Sequence, residues 1–191
     1  MVKKLLFAVV AAIVVFALFV ATRPAAYRVS RSTTIAAPPP IVYAQVADFH
    51  RWDAWSPWAK LDPSMKTTFA GPVAAPGSSY AWTGNDKVGE GRMTIVEAKP
   101  GERVGIRLEF IKPFAATSST EFAFVPTGGA TQTTWTMQGR NNFAGKLFSV
   151  FTDMDKMIGK DFEKGLAQLK TVAENEARTS GAPATAPAAA R

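Results

Sequence analysis

The chain has 191 residues, a formal net charge of +7, 47% hydrophobic residues, no cysteine and a single histidine, His50. Its length suits one domain with appendages; the missing thiols exclude disulfide scaffolds, thiolate metal sites and cysteine nucleophiles, and a lone imidazole excludes a histidine metal cluster. The charge is unevenly placed: Lys3, Lys4, Arg23, Arg28 and Arg31 share an acid-free N-terminal stretch while residues 32–175 are nearly neutral, which removes the electrostatic basis for nucleic-acid binding.

Residues 5–22 carry no charge and leave no polar face, since Leu5, Leu6, Phe7, Val9, Val10, Ile13, Val14, Val15, Phe16, Leu18, Phe19 and Val20 recur all round a helix. Such a helix is solvated by lipid, not packed on one side of a core. At about 1.5 Å per residue this run spans about 27 Å, the short end of a bilayer crossing. Cleavage after Ala21 or Ala26 would set Phe19 or Pro24 three residues before the cut, where a small residue is wanted. The pattern predicts an uncleaved signal anchor over residues 1–26. A short basic N-terminus before one early apolar helix is how an export signal begins, so the expected location is the cytoplasmic membrane with the domain on the extracytoplasmic side.

Residues 27–36 alternate and are rich in β-branched side chains, with Tyr27, Val29, Arg31, Thr33 and Ile35 on one face: a strand leaving the membrane. Pro38, Pro39 and Pro40 precede a helical spacing of Ile41, Val42, Ala44, Gln45, Val46 and Phe49, which predicts a short helix opening in the prolines. Trp52, Trp55 and Trp58 with Pro57 suggest a second short helix or turn. Period-two segments follow at 65–70, 78–83, 88–98, 103–111, 115–125 and 131–138, separated by Gly, Pro and Asn turn residues. In the fourth, Val104, Ile106, Leu108 and Phe110 face away from Gly105, Arg107 and Glu109, as in an antiparallel sheet with one covered face. Leu147, Phe151, Met154, Ile158, Phe162, Leu166, Leu169 and Ala173 then predict one long amphipathic helix over 146–173, covering the sheet. Residues 176–191 hold no large apolar side chain and read as a disordered tail, leaving 27–175 as the domain. A sheet curled round one long helix leaves a hollow between them.

This order of elements, with the runs Phe49 to Trp58, Tyr80 to Asn85, Gly89 to Met93 and Phe148 to Lys170, resembles the START-related SRPBCC superfamily, and within it the membrane-anchored, polyketide cyclase/dehydrase-like branch. The resemblance covers about residues 27–172. It implies an α+β helix-grip (START/Bet v-like) fold, a curved antiparallel sheet round a long C-terminal helix, with an interior cavity for a hydrophobic ligand. It implies no single activity, since the superfamily includes lipid carriers, hormone-binding proteins, cyclases and oxygenase subunits, and no catalytic residue carries over.

The candidate cavity residues are Trp52, Trp55, Tyr80, Trp82, Arg92, Met93, Phe110 and Trp135. The tryptophans near residue 55 either plug the open end of the sheet, with indole N–H groups on carbonyls, or wall a cavity. Tyr80, Trp82, Met93, Phe110 and Trp135 either pack a core or line an apolar chamber. Glu90 and Arg92 form a surface pair or, facing inward, an anchor for a carboxylate or phosphate headgroup. His50, beside Asp48 and Asp53, reads as a rim residue. The sequence thus predicts a membrane-tethered, non-catalytic binding protein for a hydrophobic or lipid-like small molecule, requiring no cofactor or metal. Two alternatives stand beside it: a cyclase or hydrolase using Asp53, His50, Glu90 or Tyr80 as acid or base, and an interaction module whose hollow is filled by its own side chains.

Overall fold

A computed structural model describes residues 2–181. Helix α1, Val2–Thr22, buries only Val20, so its apolar surface faces outward along almost the whole length. The chain then enters strand β1 (Ala26–Ile35), helix α2 (Pro39–Ala47) and a 3-10 helix (Phe49–Ala54). Pro39 and Pro40 lie in the first turn of α2, where no backbone donor is needed. The Asp48 side chain caps the 3-10 helix by accepting from the His50 N–H. Six strands follow: β2 (Lys66–Ala70), β3 (Ser79–Thr83), β4 (Glu90–Lys99), β5 (Arg103–Lys112), β6 (Ala116–Thr127) and β7 (Ala130–Arg140).

The seven strands form one curved sheet in the order β1-β7-β6-β5-β4-β3-β2, every neighbour antiparallel. β1 and β2 are therefore opposite edges, and the segment carrying α2 and the 3-10 helix must cross the whole sheet to connect them. The expected alternation is present: Val104 and Ile106 are buried and Arg107 is exposed, while Thr131, Thr133, Trp135 and Met137 of β7 all face the core.

The single long helix expected over 146–173 is two helices, α3 (Phe143–Phe151) and α4 (Met154–Thr179). Thr152 and Asp153 adopt extended backbone between them, and the Asp153 carboxylate accepts from the Lys156 N–H as the N-cap of α4. The Asn142 side chain caps α3 in the same way, accepting from the Gly145 N–H. Phe162, Leu166, Leu169 and Ala173 are buried as the apolar stripe requires, but Phe151 is 75% exposed and α3 buries nothing. α4 also outruns the domain limit expected at 175: Ala177 is buried, and the Glu176 carboxylate accepts from the Gln45 amide and the Arg51 guanidinium. Residues 176–179 are thus helix, Ser180 and Gly181 form a turn, and residues 182–191 of the expected tail lie outside the described residues.

α4 lies chiefly over β1 and is clamped there by Arg31, whose guanidinium reaches Asp155 at 2.9 Å and Glu163 at 2.8 Å. The hydrogen bond to Asp155 raises the Arg31 pKa and lowers that of Asp155. Close approach of helix and sheet depends on Gly165, because a Cβ there would lie 2.8 Å from the Trp135 ring and 3.1 Å from Pro57.

Candidate functional site

The hollow of the grip is filled at its centre. Trp135 of β7 stacks on Phe162 of α4 with ring centroids 4.0 Å apart and on Phe122 of β6 at 4.7 Å. Trp55 meets both Phe122 and Trp135 edge-on, at 5.9 and 5.8 Å, and Trp52 lies against Trp55 at 4.6 Å. Every indole N–H in this group is used: Trp52 donates to Val46 O, Trp55 to Gln45 O and Trp135 to Thr120 Oγ1, at 2.9–3.0 Å. Trp52, Trp55 and Trp135 are at most 4% exposed, so of the alternatives left open by the sequence these three take the plug and the core, and they present no ring face to a ligand.

Towards one end of the concave face the packing opens. Trp82 of β3 and Leu108 and Phe110 of β5 are half-buried, and beneath them Tyr80 and Met93 are buried. Trp82 lies parallel to Tyr80 at 6.0 Å and edge-on to Phe110 at 6.3 Å, and its N–H donates to Val88 O. This shelf exists because Gly91, opposite Trp82 in the β3–β4 register, has no side chain: a Cβ there would fall 2.4 Å from the indole. The end is fixed by register. Thr83 pairs with Glu90, Glu90 with Lys112 and Ala26 with Arg140, so the shelf opens at the end of the sheet where the chain leaves α1.

Arg92 is not part of the shelf. It alternates with the inward Gly91 and Met93 and is exposed on the outer face of β4, which corrects the expectation of an inward headgroup anchor. Glu90 pairs with Lys112 at 2.8 Å and not with Arg92. His50 sits at the rim, its Nδ1 2.9 Å from Asp48 Oδ1 and its ring stacked on Phe69 at 4.1 Å. Burial, with a smaller effect from Asp53, pushes the Tyr80 phenol up to about 12. At neutral pH that group is a poor base and stays protonated. Asp53 is exposed. Of the four acid–base candidates, Glu90 is engaged by Lys112, while His50 reaches the Tyr80 side only through Phe69, whose ring lies 5.3 Å from that of Tyr80.

Two depressions lie outside the grip. One, of about 470 Å³, sits where α1, β1 and the α3–α4 junction meet, and is lined by Arg23, Tyr27, Asn141, Ser149, Phe151 and Asp153 among others. The second, of about 780 Å³, is a wide saddle on the outer face of the sheet, bordered by Arg28, Arg107, Ser119 and Arg140. Leu108 and the Arg31 clamp were not singled out from sequence. Leu108 had its signal in the β5 alternation, whereas the clamp joins residues more than a hundred positions apart.

A family model described as polyketide cyclase / dehydrase and lipid transport matches residues 26–174. The chain belongs to this family. Its matched region is the whole grip from the start of β1 into the last turns of α4, so the family assignment and the observed fold agree on the domain. No curated protein matches the sequence. Among solved structures, a protein of Chromobacterium violaceum is similar with a TM-score of 0.57 at 15% identity, over 77% of this chain and 96% of that one. A protein of Thermobifida fusca gives 0.57 at 22% identity over 79% and 93%, and the Aha1 dimer of Colwellia psychrerythraea gives 0.56 at 16% over 78% and 96%. At these identities the likeness establishes the helix-grip fold of this family member, not its ligand.

Proposed function

We propose that this family member is a membrane-tethered, non-catalytic binding module for an amphipathic, lipid-like molecule, whose apolar part rests on the shelf of Trp82, Leu108 and Phe110 above Tyr80 and Met93. The observation that carries this reading is the contrast along the concave face. Its centre is packed ring on ring, while at the α1 end large apolar side chains stay half-buried with their polar atoms already satisfied internally. Such rings offer apolar contact without demanding a polar partner from the ligand. Binding is favoured over catalysis because the Tyr80 phenol stays protonated at neutral pH and the Glu90 carboxylate is paired with Lys112. α1 supports tethering: it is 21 residues long, has a mean hydropathy of 3.0 and exposes nearly all its apolar side chains. The anchor stays uncleaved in this reading, and the domain stands on the extracytoplasmic side.

The test is to purify the full chain from membranes, extract it with organic solvent and identify retained small molecules by mass spectrometry, beside Trp82→Ala and Phe110→Ala prepared identically. The reading expects one amphiphile class enriched in the parent and depleted in both variants. Equal recovery from all three, or none from the parent, would reject it.

A further inference from the structure

Helix α3 is amphipathic in sequence yet buries none of its side chains. Among the described residues outside α1, the exposed phenylalanines are Phe69, Phe114, Phe143, Phe148 and Phe151, and the last four lie at the end of the domain that adjoins α1. Phe114, 78% exposed, sits in the short link between β5 and β6, and the pairing of Phe110 with Ala116 puts that link at the same end as the Ala26–Arg140 pair. α3 is fixed directly to the end of α1. Lys146 Nζ donates to Ala21 O at 2.8 Å, and the Phe151 ring lies 6.4 Å from Phe16, five residues inside the apolar helix. The Asn141 N–H, just before α3, donates to Ala25 O. Basic groups share this end: Arg23, Arg28, Arg140 and Lys146, none of them in an ion pair among the described residues.

Exposed aromatic side chains clustered at one end of a domain need an apolar neighbour. Here that neighbour is indicated by what the cluster touches. A helix pinned to the last turn of a lipid-spanning segment sits at the depth where acyl chains give way to headgroups, and apolar rings beside lysine and arginine are the composition that this depth selects. We infer that the α1 end of the domain rests on the bilayer, with α3 as an interfacial helix and Phe114 as a second point of insertion, the basic groups facing anionic headgroups. The inference relies on α1 spanning that bilayer, as proposed above. It has a consequence for the shelf: Trp82 and Phe110 open at the same end, so an amphiphile passes between membrane and shelf without crossing bulk water.

The absence of native cysteine allows a direct test on the full chain. Ile13→Cys, Phe114→Cys, Phe148→Cys and Val125→Cys each receive one nitrobenzoxadiazole label and are reconstituted into phosphatidylcholine/phosphatidylglycerol vesicles with or without acyl-brominated lipid. Positions 114, 148 and 125 are exposed, so labelling leaves the core intact, and 125 lies towards the opposite end of β6. Positions 13, 114 and 148 are expected to lose most of their emission in brominated lipid, while 125 keeps its own. Quenching at 13 with 114 and 148 behaving like 125 would overturn the interfacial placement and leave the anchor intact. No quenching at 13 would instead remove the anchor and this inference with it. Protection of 114 and 148 from aqueous iodide without quenching by brominated lipid would mean that protein, such as a second copy of the chain, covers this end, and would also overturn it.

Discussion

Trp135 and Trp82 are both tryptophans on the concave face, yet replacing each with alanine should have very different consequences. Trp135 is 2% exposed and sandwiched between Phe122 and Phe162. Trp135→Ala loses the transfer free energy of the indole and leaves a void that two rigid rings and the α4 backbone at Gly165 cannot collapse into, which puts the cost at about 3–5 kcal/mol. The lost stacking pushes it towards the top of that range, while Thr120 Oγ1 keeps its bond to Thr136 O, so no buried hydroxyl is orphaned. Trp82 keeps part of its ring exposed, so its removal forfeits most of an aromatic burial plus the bond to Val88 O but leaves no enclosed void, about 2–3 kcal/mol in all. Guanidinium denaturation of the detergent-solubilised chain, followed by loss of the sheet signal in circular dichroism, measures both on one scale. If Trp135→Ala came within about 1 kcal/mol of Trp82→Ala, the filled centre described above would be wrong and a hollow around Trp135 would have to be admitted.

Thr131 and Thr133 offer a second comparison, both fully buried on β7. Thr131 Oγ1 donates to Ala37 O at 2.7 Å whereas Thr133 Oγ1 has no partner among the described residues, so Thr131→Val should cost about 1–3 kcal/mol and Thr133→Val should be neutral or stabilising in the same assay. Ending the chain after Asn175 removes Ala177 and the Glu176 bonds to Gln45 and Arg51. The expected drop in Tm is roughly 2–4 °C for each kcal/mol lost, and an unchanged Tm would show that the last turn of α4 contributes nothing. Acid should also weaken the fold in a defined window. The Asp62 carboxylate is held below its usual pKa by the Ser64 hydroxyl and the backbone N–H groups of Asn85 and Ser64, and Asp155 is held down by Arg31. Groups depressed in the folded state stabilise it above their unfolded pKa of about 3.9 and lose that contribution as pH falls through the lower folded value. Tm should therefore hold down to about pH 5 and then decline, less steeply in Asp62→Asn; a Tm that rises below pH 4 would contradict this.

The strands and α2 could be read from the sequence because each carries a local period that burial enforces, and α1 because its apolar run is uninterrupted by charge. β5 shows this best, since Val104 and Ile106 could not exchange faces with Arg107 without exposing the core. The α3–α4 break is not legible in the periodicity because the apolar spacing runs through it. The stop is encoded by Asp153 as a cap and not by any gap in the pattern. The face of Arg92 stays open in the sequence for want of one reference point: alternation says that Glu90 and Arg92 share a side but not which side is covered, and only the inward Gly91 and Met93 decide it. The roles of the tryptophans depended on long-range stacking. Nothing local distinguishes Trp135, against Phe162, from Trp82, at the open end.

An amphiphile bound as proposed lies against Trp82, Leu108 and Phe110. The most direct measurement is photo-crosslinking in isolated membranes with a fatty acyl probe carrying a diazirine near the middle of its chain, followed by peptide mapping. Adducts are expected within Ser79–Thr83 and Arg103–Lys112, suppressed by excess unlabelled amphiphile and lost in Trp82→Ala. Adducts confined to α1 and α3, or shelf adducts that excess amphiphile fails to suppress, would contradict this placement.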